Sequence, residues 1–230
     1  MKLLTEQELI WSSIVANSSM NRERNASGIN SYEQEFGFKP EVFLRSFIDK
    51  SGETKWLDLC CGQGKALIQV AAHFAAAGCE HKARLKGIDL IDGFLPVPAA
   101  LSCLMFEAGS VIDWKTTDQY DLITCVHGIH YVGDKLKMLT NALRALTPDG
   151  LFIANLDLNN IKIDDASATD YLKGIFRKYG LQYNAHKRLL TSKGPKNIDF
   201  GLLYIGANDQ AGPNYTGQAA VCSYYAITAQ

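Results

Sequence analysis

Trp56-Leu57-Asp58-Leu59-Cys60-Cys61-Gly62-Gln63-Gly64-Lys65-Ala66-Leu67 decides the fold of this chain. Trp56, Leu57 and Leu59 supply an apolar strand, and Gly62 and Gly64 permit a tight turn with close backbone approach. From Ala66 onward Leu67, Val70, Ala71 and Phe74 recur at helical spacing. A buried strand that runs through a glycine turn straight into a helix aims the first backbone amides of that helix at a ligand beyond the strand end. Nucleotide-binding folds of several kinds begin this way, so the segments on either side must discriminate among them.

Toward the C-terminus, Arg84 to Leu90 reads as a second strand carrying an acid, Asp89, at its end. Gly93, Pro96 and Pro98 then predict an irregular connection, or a short helix starting at Pro98, where a missing amide is harmless. An apolar run from Ala99 to Phe106 leads to Ala108-Gly109-Ser110. Tyr120 to Val126 is another continuous apolar strand, and Asp134 caps a helix that reaches Leu146 with Leu136, Leu139, Leu143 and Leu146 inward. After the turn Pro148-Asp149-Gly150, Leu151 to Leu156 is the next strand. Strands apolar on both faces, alternating with helices, imply an α/β protein with a parallel sheet covered by helices. Thr169 to Tyr179 is one more helix. Tyr183 to Ser192 and Ile198 to Ile205 read as two strands joined at Gly194-Pro195-Lys196, and the tail from Ala211 to Gln218 and on to Tyr224-Tyr225 holds too much glycine and proline for a regular element.

Toward the N-terminus, Glu6 to about Ala16 predicts a helix with Leu9, Ile10, Ile14 and Val15 at its spacing. Pro40 opens another, with Val42, Phe43, Phe47 and Ile48 on one face. Between them, Asn21 to Phe38 is polar and aromatic, with Arg22, Arg24, Asn25, Gly28, Asn30 and Tyr32. Either a flap over a pocket or a surface connection would have this composition. The expected organisation is an N-terminal helical lid over residues 1–50 and one domain over 51–230.

At 230 residues and 47% hydrophobic, the chain can bury a full core. Its net charge of -1, with acids and bases interspersed, gives no footprint for nucleic acid or an acidic membrane and favours a small-molecule partner. No apolar run is long enough to span a bilayer, and Thr5-Glu6-Gln7-Glu8 is unlike a secretory signal, so a cytoplasmic setting is expected. Six cysteines with no C-x-x-C pair and no histidines at zinc spacing predict reduced thiols and no metal. The sequence does not speak to oligomeric state.

The order of these parts resembles the class I S-adenosylmethionine-dependent methyltransferases over residues 54 to 205. Asp58-Leu59-Cys60-Cys61-Gly62-Gln63-Gly64 matches the first motif of that family, acid-x-Gly-x-Gly-x-Gly, with Cys60 in place of the first glycine. Asp89 matches the acid after the second strand, and Gly109-Ser110 the third motif, with Ser110 in place of the acid that often receives the adenine amino group. Asp121 through Tyr131 resembles the fourth motif, and Leu146-Thr147-Pro148-Asp149-Gly150-Leu151 the segment leading into the fifth strand. More locally, Asn21-Arg22-Glu23-Arg24, Asn30-Ser31-Tyr32, His127 through Lys135 and Gly212 through Gly217 are similar to small bacterial methyltransferases of mostly unassigned substrate. The resemblance implies a doubly wound, mostly parallel, seven-stranded sheet with an antiparallel terminal strand. It also implies S-adenosyl-L-methionine as cofactor, S-adenosyl-L-homocysteine as product, and methyl transfer to an oxygen, nitrogen or carbon of a small acceptor.

Within that frame Asp89 is expected to accept from the ribose hydroxyls, with Leu90 beside it. Asp58 would hold the cofactor amino group, directly or through water, or fix the glycine turn by accepting its amides. Cys60, Gly62, Gly64, Gly109 and Ser110 would line the cofactor. Cys125 would touch it through backbone, since nothing basic beside it activates its thiol. Tyr32 is taken as a cofactor-side aromatic, while Tyr131 and Tyr215 carry no assigned role. His127 and His130 follow the fourth strand, and either could take a proton from the acceptor. His130 could equally pack at the start of the next helix, against Asp134. A nucleotide-dependent oxidoreductase is the alternative reading, although Leu67 stands where the third glycine of the G-x-G-x-x-G fingerprint would be. A non-catalytic S-adenosylmethionine-binding module, or an enzyme acting on RNA or protein, completes the set of alternatives.

Overall fold

The computed structural model describes residues 2–15 and 23–228. Its elements run α1 (Glu6–Leu9), α2 (Tyr32–Phe36), α3 (Pro40–Ser51), β1 (Thr54–Leu59), α4 (Lys65–Ala76), β2 (Ala83–Asp89), β3 (Leu104–Ala108), β4 (Tyr120–Cys125), α5 (Lys135–Arg144) and β5 (Leu146–Asn155). There follow β6 (Ile161–Ile163), β7 (Ala166–Ser167), α6 (Thr169–Tyr179), β8 (Gln182–Asn184), β9 (Leu189–Lys193), β10 (Leu202–Asn208) and β11 (Cys222–Ile227).

The main sheet has seven strands in the order β3-β2-β1-β4-β5-β9-β8, parallel except that β9 runs antiparallel to both its neighbours. Alternation along each strand assigns the side chains to two cores. Trp56, Leu85, Leu122 and Ile153 join Leu44 and Ile48 of α3 and Leu67, Val70 and Phe74 of α4 on one face. Leu57, Ile88, Ile123 and Phe152 join Leu136, Leu139 and Leu143 of α5 and Leu172 and Phe176 of α6 on the other. The parallel sheet expected from the strand-helix alternation is thus present, in the doubly wound, seven-stranded form that the family resemblance implies, and its order reverses between β1 and β4. That switch point is where a crevice opens beyond the strand ends.

Several expectations need correction. The N-terminal helix is a single turn, α1, opened by a capping box between Thr5 and Glu8, and the chain passes into turns after Leu9. Ala16, the predicted end, lies outside the described residues, as do Asn21 and Arg22. In α3 the buried face is Pro40, Leu44 and Ile48, and Val42 is exposed. The run from Ala99 holds a strand, β3. The hairpin is β8-β9, within Gln182–Lys193, and β10 does not pair with it. β10 belongs to a second sheet, β10-β11-β6-β7, whose strand β11 forms from the tail expected to be irregular.

A buried lysine, Lys135, ties the start of α5 to the second sheet. Its Nζ donates to the Val132 carbonyl at 2.7 Å, the Val221 carbonyl at 2.9 Å and Ser223 Oγ at 2.8 Å. Burial pushes its pKa down to about 7, although Glu6, Asp134 and Asp157 act in the opposite sense. Helix α1 docks nearby, where Glu6 Oε1 accepts from the Asp134 amide at 2.6 Å.

Candidate active site

A cavity opens at the carboxyl ends of β1 to β4, roofed on one side by Glu6, Leu9, Ile14 and Val15. Of the residues singled out in the sequence, Tyr32, Cys60, Gly62, Asp89, Leu90, Gly109, Ser110 and His127 stand on its wall. Asp58, Gly64, Cys125 and His130 stand behind it.

The glycine turn is held from the neighbouring strand. Asp89 Oδ2 accepts from the Gly62 amide at 2.8 Å and Oδ1 from the Ile91 amide at 3.2 Å, so the carboxylate is oriented by backbone and the turn is tied to β2. The role foreseen for Asp58, accepting the amides of the turn, thus falls to Asp89. Gly64 begins α4 in the left-handed region at φ 76°, and a Cβ there would lie 2.1 Å from the Phe106 ring. Close packing of helix on strand, which a third glycine would supply on α4, comes instead from Gly87 on β2. A Cβ at Gly87 would lie 2.7 Å from Leu67 Cδ1. Cys60 and His127, which follow β1 and β4 at the switch point, both adopt left-handed backbone, with φ 55° and 57°. Strain of this kind concentrates at functional sites. Gly128 lets the two strand ends meet, since a Cβ there would lie 2.2 Å from Cys60 Cβ.

Asp58 is 1% exposed, and its two oxygens accept from Tyr32 Oη and Thr124 Oγ1, each at 2.6 Å. Thr124 in turn accepts from Trp56 Nε1 at 2.8 Å. Burial raises the Asp58 carboxyl to about 7 against the pull of those two hydroxyls. Its structural effect is to seat Tyr32 on the cavity wall. Of the segment from Asn21 to Phe38, where described, Arg24 and Tyr32 line the cavity. Ser110 Oγ accepts from the Ile112 amide at 3.2 Å, and Cys125 is fully buried, Val126 being the first residue after β4 on the wall.

His127 is the centre of a polar assembly that the sequence did not disclose. Its Nε2 lies 2.9 Å from Glu35 Oε1, and Glu35 is also bonded by Arg24 at 3.1 Å and by Asn155 Nδ2 at 3.3 Å. Burial alone would raise the Glu35 carboxyl. The His127 ring, the Arg24 guanidinium and the Asn155 amide bring it below its ordinary value. A carboxylate only accepts, so Nε2 carries the proton and Nδ1 is the basic nitrogen. Nδ1 faces Tyr215 Oη at 3.5 Å. His130, by contrast, is 1% exposed and neither ring nitrogen has a partner. Burial, then His127 and Lys135, push it down to about 3. Its ring packs edge-on to Tyr215 at 5.5 Å and does not bond Asp134, whose Oδ1 accepts from the Lys137 amide and Tyr225 Oη. Among the described residues, no group of three or more His, Cys, Asp or Glu could hold a metal.

Residues 29–187 match the family model of a methyltransferase domain. No curated protein matches the chain. Among solved structures, the chain is similar to PKMT2 from Rickettsia typhi in complex with AdoHcy, at 23% identity and a TM-score of 0.38 over 44% of this chain and 20% of that one. It is similar to YjhP from E. coli at 18% identity and a TM-score of 0.42, over 62% of this chain and 55% of that one. It is similar to the N-methyltransferase NodS from Bradyrhizobium japonicum in complex with S-adenosyl-L-homocysteine at 17% identity and a TM-score of 0.40, over 67% and 85%. The chain thus spans 20% and 55% of the first two of these proteins. The match over residues 29–187 takes in the glycine turn, Asp89 and the Glu35-His127 pair, and by it this chain belongs to the methyltransferase-domain family.

Proposed function

We propose that this protein is an S-adenosylmethionine-dependent methyltransferase acting on a small organic acceptor, with His127 as general base. The observation that carries the reading is the pairing, across one cavity, of Asp89 on one wall with a carboxylate-held histidine on the other. The residues present fit the cofactor. The Asp89 carboxylate is turned by the Gly62 amide to receive a diol, Gly62 and Gly109 bring bare backbone to the wall, and Tyr32 offers an aromatic ring to a cation.

When bound, S-adenosylmethionine supplies a methyl group on a sulfonium, already activated toward displacement. What remains for the protein is to hold the acceptor in line and to take its proton, and positioning of this kind is worth about 7 to 11 kcal/mol. Glu35 fixes the His127 ring and stabilises it once protonated, leaving Nδ1 to receive the proton from the acceptor. The nonpolar roof of Leu9, Ile14 and Val15 excludes water, and we assign the chain from Glu6 to Val15 the part of a lid, while α3, packed on the sheet through Leu44 and Ile48, belongs to the core. His130, buried and off the wall, is given a packing role. Six free cysteines and a net charge of -1 support a cytoplasmic setting without nucleic-acid partners. No described helix is long and apolar enough to cross a membrane.

Calorimetric titration with S-adenosylhomocysteine, with NAD as control, tests the reading. Micromolar binding of the first alone supports it, whereas binding of NAD alone would establish the oxidoreductase alternative.

A further inference from the structure

Beyond Tyr215 lies a second recess, of about 540 Å³, that the reaction described above does not use. It is lined by Lys162 of β6, Arg188 from the β8-β9 turn, Asn160, Asn214, Asp157 and Tyr215, and its surface is mainly polar. Asn160 and Asn214 are each 6% exposed, and Oδ1 of the first and Nδ2 of the second have no hydrogen-bond partner. Buried polar groups left unpaired in this way cost stability, and a bound molecule that pairs with them recovers it. The only acid among the six, Asp157, is engaged by backbone, its Oδ1 accepting from the Asn159 amide at 3.1 Å and its Oδ2 from the Tyr215 amide at 3.2 Å. Asp157 moderates the charge of the recess while Lys162 and Arg188 supply two cations. Tyr215 stands between this recess and His127, its hydroxyl 3.5 Å from His127 Nδ1.

We infer that this recess binds the body of the methyl acceptor, and that the acceptor is a hydroxylated molecule carrying an anionic group, a carboxylate or a phosphate. The inference rests on the methyltransferase reading and deepens it. An anion would meet Lys162 and Arg188, hydroxyls would meet one unpaired acceptor and one unpaired donor, and the reacting end would point past Tyr215 to the basic nitrogen of His127. The asparagine pair selects for hydroxyl groups because a hydroxyl both donates and accepts.

The test uses the full chain saturated with S-adenosylhomocysteine, titrated calorimetrically with glycerol 3-phosphate, with glycerate and with glycerol. Binding of either anion in the millimolar range or tighter, with glycerol at least ten-fold weaker, is expected, and the better anion identifies the charged group. Lys162→Gln/Arg188→Gln should weaken the anion at least ten-fold and leave S-adenosylhomocysteine affinity unchanged, which also shows that the variant is folded. Lys162→Gln alone should give an intermediate loss. Failure of both anions to bind, equal binding of glycerol, or undiminished binding to the double variant would overturn the inference while leaving the cofactor reading intact. Failure of S-adenosylhomocysteine itself would instead remove the methyltransferase reading.

Discussion

On the side of the cavity proposed for the cofactor, Gly62, Asp89, Leu90, Gly109 and Ser110 each stand within a few positions of a strand end, on neighbouring strands of one sheet. On the side proposed for the acceptor, His127 is joined by Arg24, Glu35, Asn155 and Tyr215 from segments far apart in the chain, and side-chain bonds hold them together. Backbone makes the first half, so its signature is a local string of residues that the sheet must place together. Side chains make the second, and its identity depends on which distant segments happen to meet. Changes to one half should therefore leave the other measurable.

The largest separation is expected for His127→Ala. It should lower methyl transfer about 10²- to 10⁴-fold in single-turnover assays while S-adenosylhomocysteine affinity stays within a factor of about three. Equal loss of both would show that the halves are one unit. Asp89→Ala should do the reverse. Loss of a charged acceptor costs about 1.5 to 3 kcal/mol, or roughly ten- to hundred-fold in cofactor affinity by calorimetry, with the fold retained by circular dichroism.

A third separation lies in the pH dependence of stability. Asp58, behind the cofactor side, titrates at about 7 in the folded state, so it is protonated there and ionised in the unfolded chain between about pH 4 and 7. Its contribution is lost as pH rises through that window. His130, behind the acceptor side, titrates at about 3, so between about pH 3 and 6.5 it is neutral when folded and charged when unfolded. Its contribution is lost as pH falls. The two slopes oppose each other in the wild type. Relative to wild type, His130→Phe should lose stability as pH rises from about 4.5 to 6.5, and Asp58→Asn should gain it, each by on the order of 1 to 3 kcal/mol in urea melts. Parallel curves for both variants would refute the assignment of charge states. The smallest effect is Cys60→Gly, which relieves left-handed backbone at φ 55° and should stabilise by up to about 1 kcal/mol in the same melts without changing cofactor affinity.

What the sequence disclosed follows the same division. The strand-turn-helix at Trp56–Leu67, Asp89 and the apolar runs of β1, β4 and β5 were legible because alternation and glycine spacing act over a few residues. β11 was missed because Gly212, Pro213 and Gly217 obscured a strand, Cys222–Ile227, that begins only after them. Glu35 was missed because an acid in a five-residue helix looks like any surface acid until His127 is brought to it. Tyr215, in the Gly212–Gly217 stretch, was a candidate pocket aromatic left without a role, because among ten tyrosines nothing in the sequence ties it to His127. Lys135, at the start of an amphipathic helix, carries no local mark of burial, and only the crossing of β11 encloses it.

That enclosure also sets an order of assembly. The partners of Lys135 include Ser223, 88 residues downstream, so while the chain is being synthesised the start of α5 keeps a hydrated, charged lysine until β11 has been added. Gly62, Asp89, Leu90, Gly109 and Ser110 all stand on segments synthesised before that point. The acceptor side waits for Tyr215 and for the strand that follows it. In the nascent chain the strand ends around Gly62 and Asp89 thus precede the last side chain to join His127.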